Sequence, residues 1–161
     1  MISRATQADH DWIRDTAAAV YRELGDYGTI IPSWIDHAGV LTFVETTDSG
    51  QRRGFILVGF YTPDEPITAR DDGACVGDLL AIAVAPAHQR QGVGTGLLRH
   101  ALDVVRAAGV ERSVPEIRLT VSEDNAVARA MFDKAGFTVL DDHFGSYDGG
   151  QRAIRMRHPV D

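Results

Sequence analysis

Apolar residues recur along the first half of the chain at helical and then at strand spacing. In residues 9–24 the apolar positions follow steps of three and four, which predicts an amphipathic helix that ends before Gly25. Two β-branched and aromatic runs, 40–45 and 54–61, flank a turn-rich segment and predict an antiparallel hairpin. Residues 75–84 predict a third strand. This half is therefore predicted to form one helix and three strands.

The second half of the chain alternates between helix and strand patterns. After a glycine-containing turn, apolar residues recur at helical spacing as far as Gly109, where the helix is predicted to end. Residues 116–121 predict the next strand. Asp124 is a candidate cap for a helix over 125–135 that ends before Gly136. The segment AIRMR near the C-terminus alternates apolar and basic residues, which predicts a half-buried strand near one edge of the sheet.

Length and composition limit the class of protein. The chain has 161 residues, so residues 1–161 are expected to form a single domain of mixed α/β (α+β) type. With 44% hydrophobic and 24% charged residues, the composition is that of a globular protein, which argues against disorder, collagen and coiled coil. No apolar run reaches the roughly 20 residues of a membrane span, and the N-terminus lacks the apolar core of a signal peptide. A cytoplasmic location without a membrane partner is expected.

Charge and cysteine content narrow the partners further. The formal net charge of −7 opposes binding to phosphate backbones and anionic membranes, so no nucleic acid partner is expected. The single cysteine, Cys75, allows no internal disulfide and fits a reducing compartment. The six histidines are scattered without the spacing of metal ligands, so no metal is expected.

The segment 85–98 is the most informative part of the chain, because three glycines stand between a strand and a helix start. Glycines admit a close ligand, and the free N–H groups at a helix N-terminus favour an anion. The segment contains no lysine for a P-loop, and Leu97 stands where a dinucleotide fingerprint needs its third glycine. A phosphate-bearing ligand is therefore predicted, with a purely structural glycine turn as the alternative.

Two ordered motifs resemble the GNAT family of N-acetyltransferases. The segment QRQGVGT, residues 89–95, resembles the family's Q/RxxGxG/A pyrophosphate loop. Downstream, NAVARAMFDKAGF resembles its NxxAxxLYxxxGF helix, and ISRATQADHDWI resembles its usual opening. The cofactor half is most similar to the branch that acetylates ribosomal-protein alanine. The resemblance implies a mixed, mostly antiparallel central sheet flanked by helices.

The resemblance also implies acetyl-CoA as co-substrate and assigns its contacts. The backbone of 82–84 would run along the pantetheine arm, the amides of 89–95 would cradle the pyrophosphate, and Asn125 would hydrogen-bond the cofactor or merely cap a helix. The predicted cofactor-binding residues are Ile82, Ala83, Val84, Gln89, Arg90, Gln91, Gly92, Val93, Gly94, Thr95 and Asn125.

Asp78 is the first candidate catalytic residue, as general base. The attacking amine must be neutral, whereas a lysine amine with a pKa of about 10.4 is protonated at neutral pH. Asp78 lies six residues before Val84, so the two side chains share a face of the strand if no bulge intervenes. Its position matches the general-base glutamate of histone-type family members, and its shorter side chain would use a bridging water. The alternative is a solvated carboxylate at a strand start.

The proton donor of the family has no counterpart at its usual position. In the ribosomal-protein branch a glutamate would fall at Thr120 and a tyrosine acid at Phe132, so both groups are missing here. Tyr147, in the loop before the last strand, is the second candidate catalytic residue, as an acid, with packing or substrate contact as the alternative. A thiolate with a pKa of about 8.5 is also a fair leaving group that water can protonate.

These inferences converge on direct acetyl transfer to a primary amine of a small molecule, peptide or protein, without a covalent enzyme intermediate. By resemblance, segment 25–39 is the acceptor lid. Candidate contacts in and beside it are Glu23, Tyr27, Trp34 and Asp36. The alternatives are a non-catalytic acyl-CoA-binding regulatory module and, more weakly, a dinucleotide-binding oxidoreductase. The sequence leaves the oligomeric state open, although family members often form homodimers.

Overall fold

The computed structural model of the chain describes residues 1–63, 75–111 and 114–160. Within these ranges the strands are β1 (Ile2–Arg4), β2 (Val40–Thr46), β3 (Arg52–Tyr61), β4 (Val76–Val84), β5 (Glu116–Ser122), β6 (Thr138–Ser146) and β7 (Arg152–Pro159). The helices are α1 (His10–Val20), α2 (Tyr27–Ile35), α3 (Val93–Glu111) and α4 (Ala126–Lys134), with short 3₁₀ turns at Gln7–Asp9 and Pro86–His88. No helix of the described ranges is long and apolar enough to cross a membrane.

All described strands form one sheet in the order β1-β2-β3-β4-β5-β7-β6. Every neighbouring pair is antiparallel except β4 and β5, which are parallel. This is the mixed, mostly antiparallel sheet that the resemblance implied. The β4–β5 pairing extends only from Gly77–Ile117 to Leu79–Leu119, so the two strands diverge in the middle of the sheet.

Helices cover both faces of the sheet. Alternate side chains of β3 show this, since Ile56 and Val58 pack with α3 while Phe55 and Leu57 pack with α1 and α2. Residues 54–59 of β3 are accordingly buried on both sides, which explains their nearly continuous apolar sequence. The sheet is therefore the middle layer of three.

The strands and helices predicted from periodicity are present, with three corrections at their ends. The first helix ends at Val20 rather than just before Gly25, because the chain then enters a turn in which the N–H of Leu24 donates to the Tyr21 carbonyl at 2.9 Å. The predicted stop at Gly109 is wrong, because Gly109 keeps a helical backbone with no positive φ and α3 continues to Glu111. The predicted cap at Asp124 is also wrong, because the Asp124 carboxylate accepts the Ser122 hydroxyl at 2.5 Å. Asn125 caps α4 instead, and its Oδ1 accepts the N–H of Ala128 at 3.2 Å.

Three elements were not predicted. Strand β1 has three residues and β6 is exposed along its whole length, so neither shows an apolar period. Helix α2 does show one, since its apolar residues recur at steps of three and four from Tyr27 to Ile35, but Pro32 stands inside the pattern, where proline ordinarily breaks a helix. The C-terminal segment does form a strand near an edge, β7, but β6 lies outside it. The sequence between β3 and β4 predicts a loop over 62–73, and most of this stretch lies outside the described residues.

The contact of α3 with the sheet gives a stability prediction. A Cβ on Gly54 would lie 2.9 Å from the Ala83 carbonyl oxygen and 3.0 Å from Leu97, so we expect Gly54→Ala to lower the free energy of unfolding by about 1–3 kcal/mol. Gly96→Ala is the matched control, because no atom lies within 4 Å of its Cβ position and alanine favours the helix by about 0.5–1 kcal/mol. Urea denaturation measures the free energy of unfolding of both variants. Changes of the same sign in the two variants would contradict the close packing around Gly54.

Candidate active site

The divergence of β4 and β5 opens the sheet at a single place. Beyond Leu79, the backbone of β4 leaves its partner strand, and side chains approach the freed groups of Ile82 and Val84. The Tyr21 hydroxyl accepts the N–H of Ile82 at 3.0 Å and also donates to its carbonyl. Gln89 Nε2 donates to the Val84 carbonyl at 3.1 Å. These contacts mark the backbone edge that a ligand would use.

A groove of about 450 Å³ follows this edge toward the start of α3. It is lined by ten of the eleven residues predicted to bind the cofactor, namely Ile82, Ala83, Val84, Gln89, Arg90, Gly92, Val93, Gly94, Thr95 and Asn125. The eleventh, Gln91, lines a separate cavity beside Met1 and Arg53. Apolar side chains of α1 and α4, including Val20 and Met131, complete the groove. The structure thus brings together residues from both motifs.

The loop before α3 has the geometry of an anion site. Arg90 and Gly92 have positive φ values of 63° and 81°, which turn the chain sharply into the helix at Val93. The N–H of Gly96 donates to the Gly92 carbonyl at 3.0 Å, which is the first hydrogen bond of the helix. The backbone N–H groups before Gly96 therefore have no partner within the helix. A Cβ on Gly94 would meet Met131 at 3.4 Å. Free amides beside an apolar wall fit both the pyrophosphate and the pantetheine arm of acetyl-CoA.

Asn125 lies where the groove meets a second cavity. Its side-chain oxygen caps α4, which was the purely local alternative for this residue. The amide nitrogen is still a donor for a ligand, and the residue lines both spaces together with Ile82 and Ala128. Capping and a cofactor contact are therefore compatible in this geometry.

The second cavity, of about 340 Å³, lies on the side of the sheet covered by α1 and α2. Aromatic rings form much of its wall: Tyr21 and Tyr27 lie 4.8 Å apart between ring centroids, and Trp34 stands 6.3 Å from Tyr27. Segment 25–39 thus contributes two of the predicted acceptor contacts. The other two are elsewhere, since Glu23 lines a neighbouring cavity and Asp36 is exposed on the C-terminal end of α2.

The turn between β6 and β7 carries Tyr147 over this cavity. The N–H of Gly149 donates to the Leu24 carbonyl at 3.1 Å, and Gln151 Nε2 donates to the Glu23 carbonyl at 3.0 Å. These bonds tie the turn to the chain that follows α1. Burial raises the pKa of Tyr147, with a smaller contribution from Tyr27. Its phenol is therefore held protonated at the cavity wall.

Asp78 reaches the same cavity, but for a different reason than the sequence suggested. The β3–β4 register skips Leu80 between the pairs Val58–Leu79 and Leu57–Ala81, which is a bulge. Leu80 and Ala81 consequently pack on the same side, whereas Ile82 packs on the other. The premise that Asp78 and Val84 share a face is therefore wrong. The carboxylate instead lines the cavity covered by α1 and α2.

Arg155 of β7 organises the polar end of this cavity. Its guanidinium donates to both carboxylate oxygens of Asp78, at 3.0 and 3.3 Å, and to the Thr120 hydroxyl at 3.0 Å. A further bond of 2.7 Å goes to the Tyr61 hydroxyl, and the Phe144 ring lies 5.0 Å away. Arg155 is 8% exposed, so this is a buried ion pair. Burial raises the pKa of Asp78, and Arg155 opposes that shift.

Sequence reasoning missed Tyr21 and Arg155. The alternation in the last strand placed Arg155 on the polar side of a half-buried strand, whereas β7 lies between two strands and buries that side chain. Tyr21 follows α1 and carried no motif. Phe132, at the family's tyrosine position, is 3% exposed and lines the cavity, and it packs edge-on against Phe137 at 5.9 Å.

The remaining polar chemistry lies away from this site. Cys75 lines a separate cavity with Phe60 and Tyr61, outside both the groove and the aromatic cavity. Among the residues that the structure describes, no group of three or more His, Cys, Asp or Glu side chains is placed to hold a metal ion.

A sequence model of the family described as the Acetyltransferase (GNAT) family matches residues 7–137. The match covers most of the chain, and the chain therefore belongs to this family of acetyltransferases. The resemblance that the two motifs indicated is thereby confirmed.

Known relatives agree with this assignment. The ribosomal protein bS18-alanine N-acetyltransferase of Escherichia coli strain K12 is 36% identical over 85 residues, 51% of this chain and 55% of the relative. A crystal structure of the E. coli ribosomal-protein-S18-alanine N-acetyltransferase aligns with a TM-score of 0.69 at 25% identity, over 100% of this chain and 94% of that one. Streptothricin acetyltransferase of Streptomyces lavendulae is 30% identical over 122 residues, 73% of this chain and 57% of the relative.

The fold extends to distant structures. Arabidopsis thaliana NAA60 in complex with acetyl-CoA aligns with a TM-score of 0.77 at 9% identity, over 99% of this chain and 98% of that one. The predicted fold class is thus confirmed. The chain spans 55% and 57% of the length of the two curated relatives above.

The buried ion pair generates the second prediction. Asp78→Ala leaves the Arg155 guanidinium buried without its counter-ion, so we expect a loss of about 3–5 kcal/mol in the free energy of unfolding. Combining Asp78→Ala with Arg155→Leu removes both charges and recovers most of that loss. Chemical denaturation of the single and double variants measures the coupling. If the loss in the free energy of unfolding of the double variant equals the sum of the losses in the two single variants, a direct interaction between Asp78 and Arg155 is contradicted.

Proposed function

We propose that this protein is an acetyl-CoA-dependent N-acetyltransferase that transfers acetyl directly to a primary amine. The observation that carries the proposal is the junction at Ile82 and Asn125, where the groove that leads to the start of α3 meets an aromatic cavity containing a buried carboxylate. The groove suits a nucleotide thioester, and the cavity suits an amine. The relatives reported above are named as acetyltransferases, which supports this activity over a purely regulatory acyl-CoA-binding module.

The donor would lie in the groove, and acetyl-CoA, when bound, supplies the acetyl group as a thioester. The amides at the start of α3 bind the pyrophosphate, and Arg90 adds a positive charge beside it. The backbone of 82–84 orients the pantetheine arm along the open edge of β4. Val20, Val127 and Met131 exclude water from the apolar part of this path. The chain's own contribution to the donor is thus binding and orientation.

Asp78 is proposed as the base that accepts the amine proton, directly or through one water. Arg155 engages both carboxylate oxygens, but each oxygen has a second lone pair for an amine or a water. Because burial raises its pKa, Asp78 is a stronger base than an exposed aspartate. The apparent pKa of the acid limb of the pH–rate profile is accordingly expected to lie above the ordinary aspartate pKa of about 3.9.

Tyr147 is proposed as the residue that holds a proton at its phenol oxygen for the departing sulfur. Its raised pKa keeps this oxygen protonated throughout the neutral range. Phe132 has no hydroxyl to offer. The position of Cys75 outside both cavities supports transfer without an acyl-cysteine intermediate.

The acceptor is proposed to be a cationic small molecule or the N-terminus of a peptide. Aromatic faces attract cations, and the cavity wall contains Tyr21, Tyr27, Trp34 and Tyr147. Burial raises the pKa of Tyr27, and Asp148 lies close enough to add to that shift, which places a negative charge near this wall. One relative is named for ribosomal-protein alanine and another for streptothricin, and these represent the two acceptor classes. Cytoplasmic location and a homodimeric state stay predictions.

The third prediction tests activity and acceptor together. We expect release of free CoA thiol from acetyl-CoA with at least one of two probes, streptothricin or an alanine-initiated peptide. Turnover should exceed that with an acetylated control of the same molecule, because only a free amine can attack. Thiol release is followed spectroscopically at pH 7 and 8.5. Binding of acetyl-CoA without turnover across both classes and further amines would favour the regulatory alternative.

The fourth prediction concerns the proton-transfer residues. Asp78→Asn keeps the shape of the side chain and an oxygen for Arg155 but loses the base, so we expect kcat to fall about 100-fold or more. The dissociation constant for acetyl-CoA should change less than twofold, because the carboxylate lies outside the groove. The acid limb of the pH–rate profile should move to the higher pH at which the amine itself loses its proton.

Tyr147→Phe serves as the comparison in the same assays. It should lower kcat less than Asp78→Asn, since water can protonate the thiolate. Full activity in Asp78→Asn, at all pH values, would remove Asp78 from the mechanism.

A further inference from the structure

Tyr21 occupies a position at which two binding events would compete. It lies at the C-terminal end of α1, and its ring packs against Tyr27 of α2. Its hydroxyl accepts the N–H of Ile82 at 3.0 Å and donates to the carbonyl of the same residue. Both backbone groups of Ile82 on the open edge of β4 are therefore satisfied by one side chain. Burial raises the pKa of Tyr21, so its hydroxyl stays a neutral donor.

The amide of Ile82 cannot serve two acceptors equally well. A backbone N–H carries a single hydrogen, whereas a carbonyl oxygen has two lone pairs. Gln89 touches only the carbonyl of Val84, so it leaves that residue's amide available. The Tyr21 hydroxyl, by contrast, accepts the single hydrogen of the Ile82 amide. A thioester arm that pairs with this amide must first displace the tyrosine hydroxyl.

We infer that Tyr21 is a positioning residue that holds the Ile82 amide and is displaced when acetyl-CoA binds. This inference rests on the proposed function, since it assumes that the acyl donor uses the open edge of β4. The same displacement changes the acceptor cavity, because Tyr21 and its neighbour Tyr27 both form its wall. Donor binding thus reshapes the acceptor site.

The first experiment compares acetyl-CoA affinities by isothermal titration calorimetry. Tyr21→Phe removes the competing hydroxyl and keeps the ring, so we expect acetyl-CoA to bind about 5-fold more tightly, the equivalent of one net hydrogen bond of about 1 kcal/mol. Tyr27→Phe is the matched control, because it removes a hydroxyl from the same cavity without touching Ile82. Its dissociation constant for acetyl-CoA should stay within twofold of the wild type.

The outcomes separate this inference from the proposed function. If the wild type binds acetyl-CoA and Tyr21→Phe binds it equally or more weakly, Tyr21 is not a competitor and the inference is overturned. If neither form binds acetyl-CoA, the proposed function fails and takes the inference with it. Damage to the fold cannot imitate the expected result, because a misfolded variant binds more weakly.

A second readout follows the acceptor wall without any turnover. The chain has two tryptophans, so Trp12→Phe leaves Trp34, which stands 6.3 Å from Tyr27, as the only one. Saturating acetyl-CoA should change the Trp34 emission in this background. The change should be much smaller after Tyr21→Phe, whose ring is already released from Ile82. Equal changes in both proteins would overturn the coupling between the two sites.

Discussion

Hydrogen bonding between β4 and β5 stops after three residue pairs, and the placement of every functional group depends on this early end. Strands that diverge inside a sheet expose backbone N–H and C=O groups in its middle, where leaving them unpaired costs free energy. The protein meets this cost with side chains, Tyr21 at Ile82 and Gln89 at Val84. A ligand with its own amide groups can replace these side chains, which is why we propose the opening as the binding site.

A buried ion pair sets the chemistry on the acceptor side of this opening. A lone carboxylate at this depth would be neutralised by desolvation, whereas a carboxylate held by a guanidinium stays available as an acceptor of protons. Arg155 supplies that counter-charge to Asp78 and also reaches Thr120, where the related branch carries a glutamate. The single carboxylate of the cavity therefore comes from β4 here, and the aromatic wall opposite it suits a cationic amine.

Prediction from the sequence succeeded where the signal is local. Helix α1 follows from its spacing, because burial of one helix face imposes a period on the residues, and strand β3 follows from its nearly continuous apolar run, because both of its faces are buried. Strand β6 is exposed throughout and has no period that could reveal it, whereas helix α2 has a helical period that is hidden by Pro32, a residue that ordinarily breaks a helix. Gly109 resembles a helix stop in sequence, yet α3 passes through it, since glycine permits a helical backbone as readily as a terminating one.

The sequence by itself determined the family, the fold class and the residues of the proposed donor groove, because the loop at 89–95 is built from contiguous amides whose geometry depends on neighbouring residues. Only the tertiary structure decided the proposed acceptor cavity, whose side chains come from five elements and their connections. The bulge at Leu80 sets the face on which Asp78 lies, and a bulge depends on pairing with β3 rather than on β4 alone. Arg155 and Tyr21 likewise gain their roles from contacts 77 and 61 residues away along the chain, which no local pattern records.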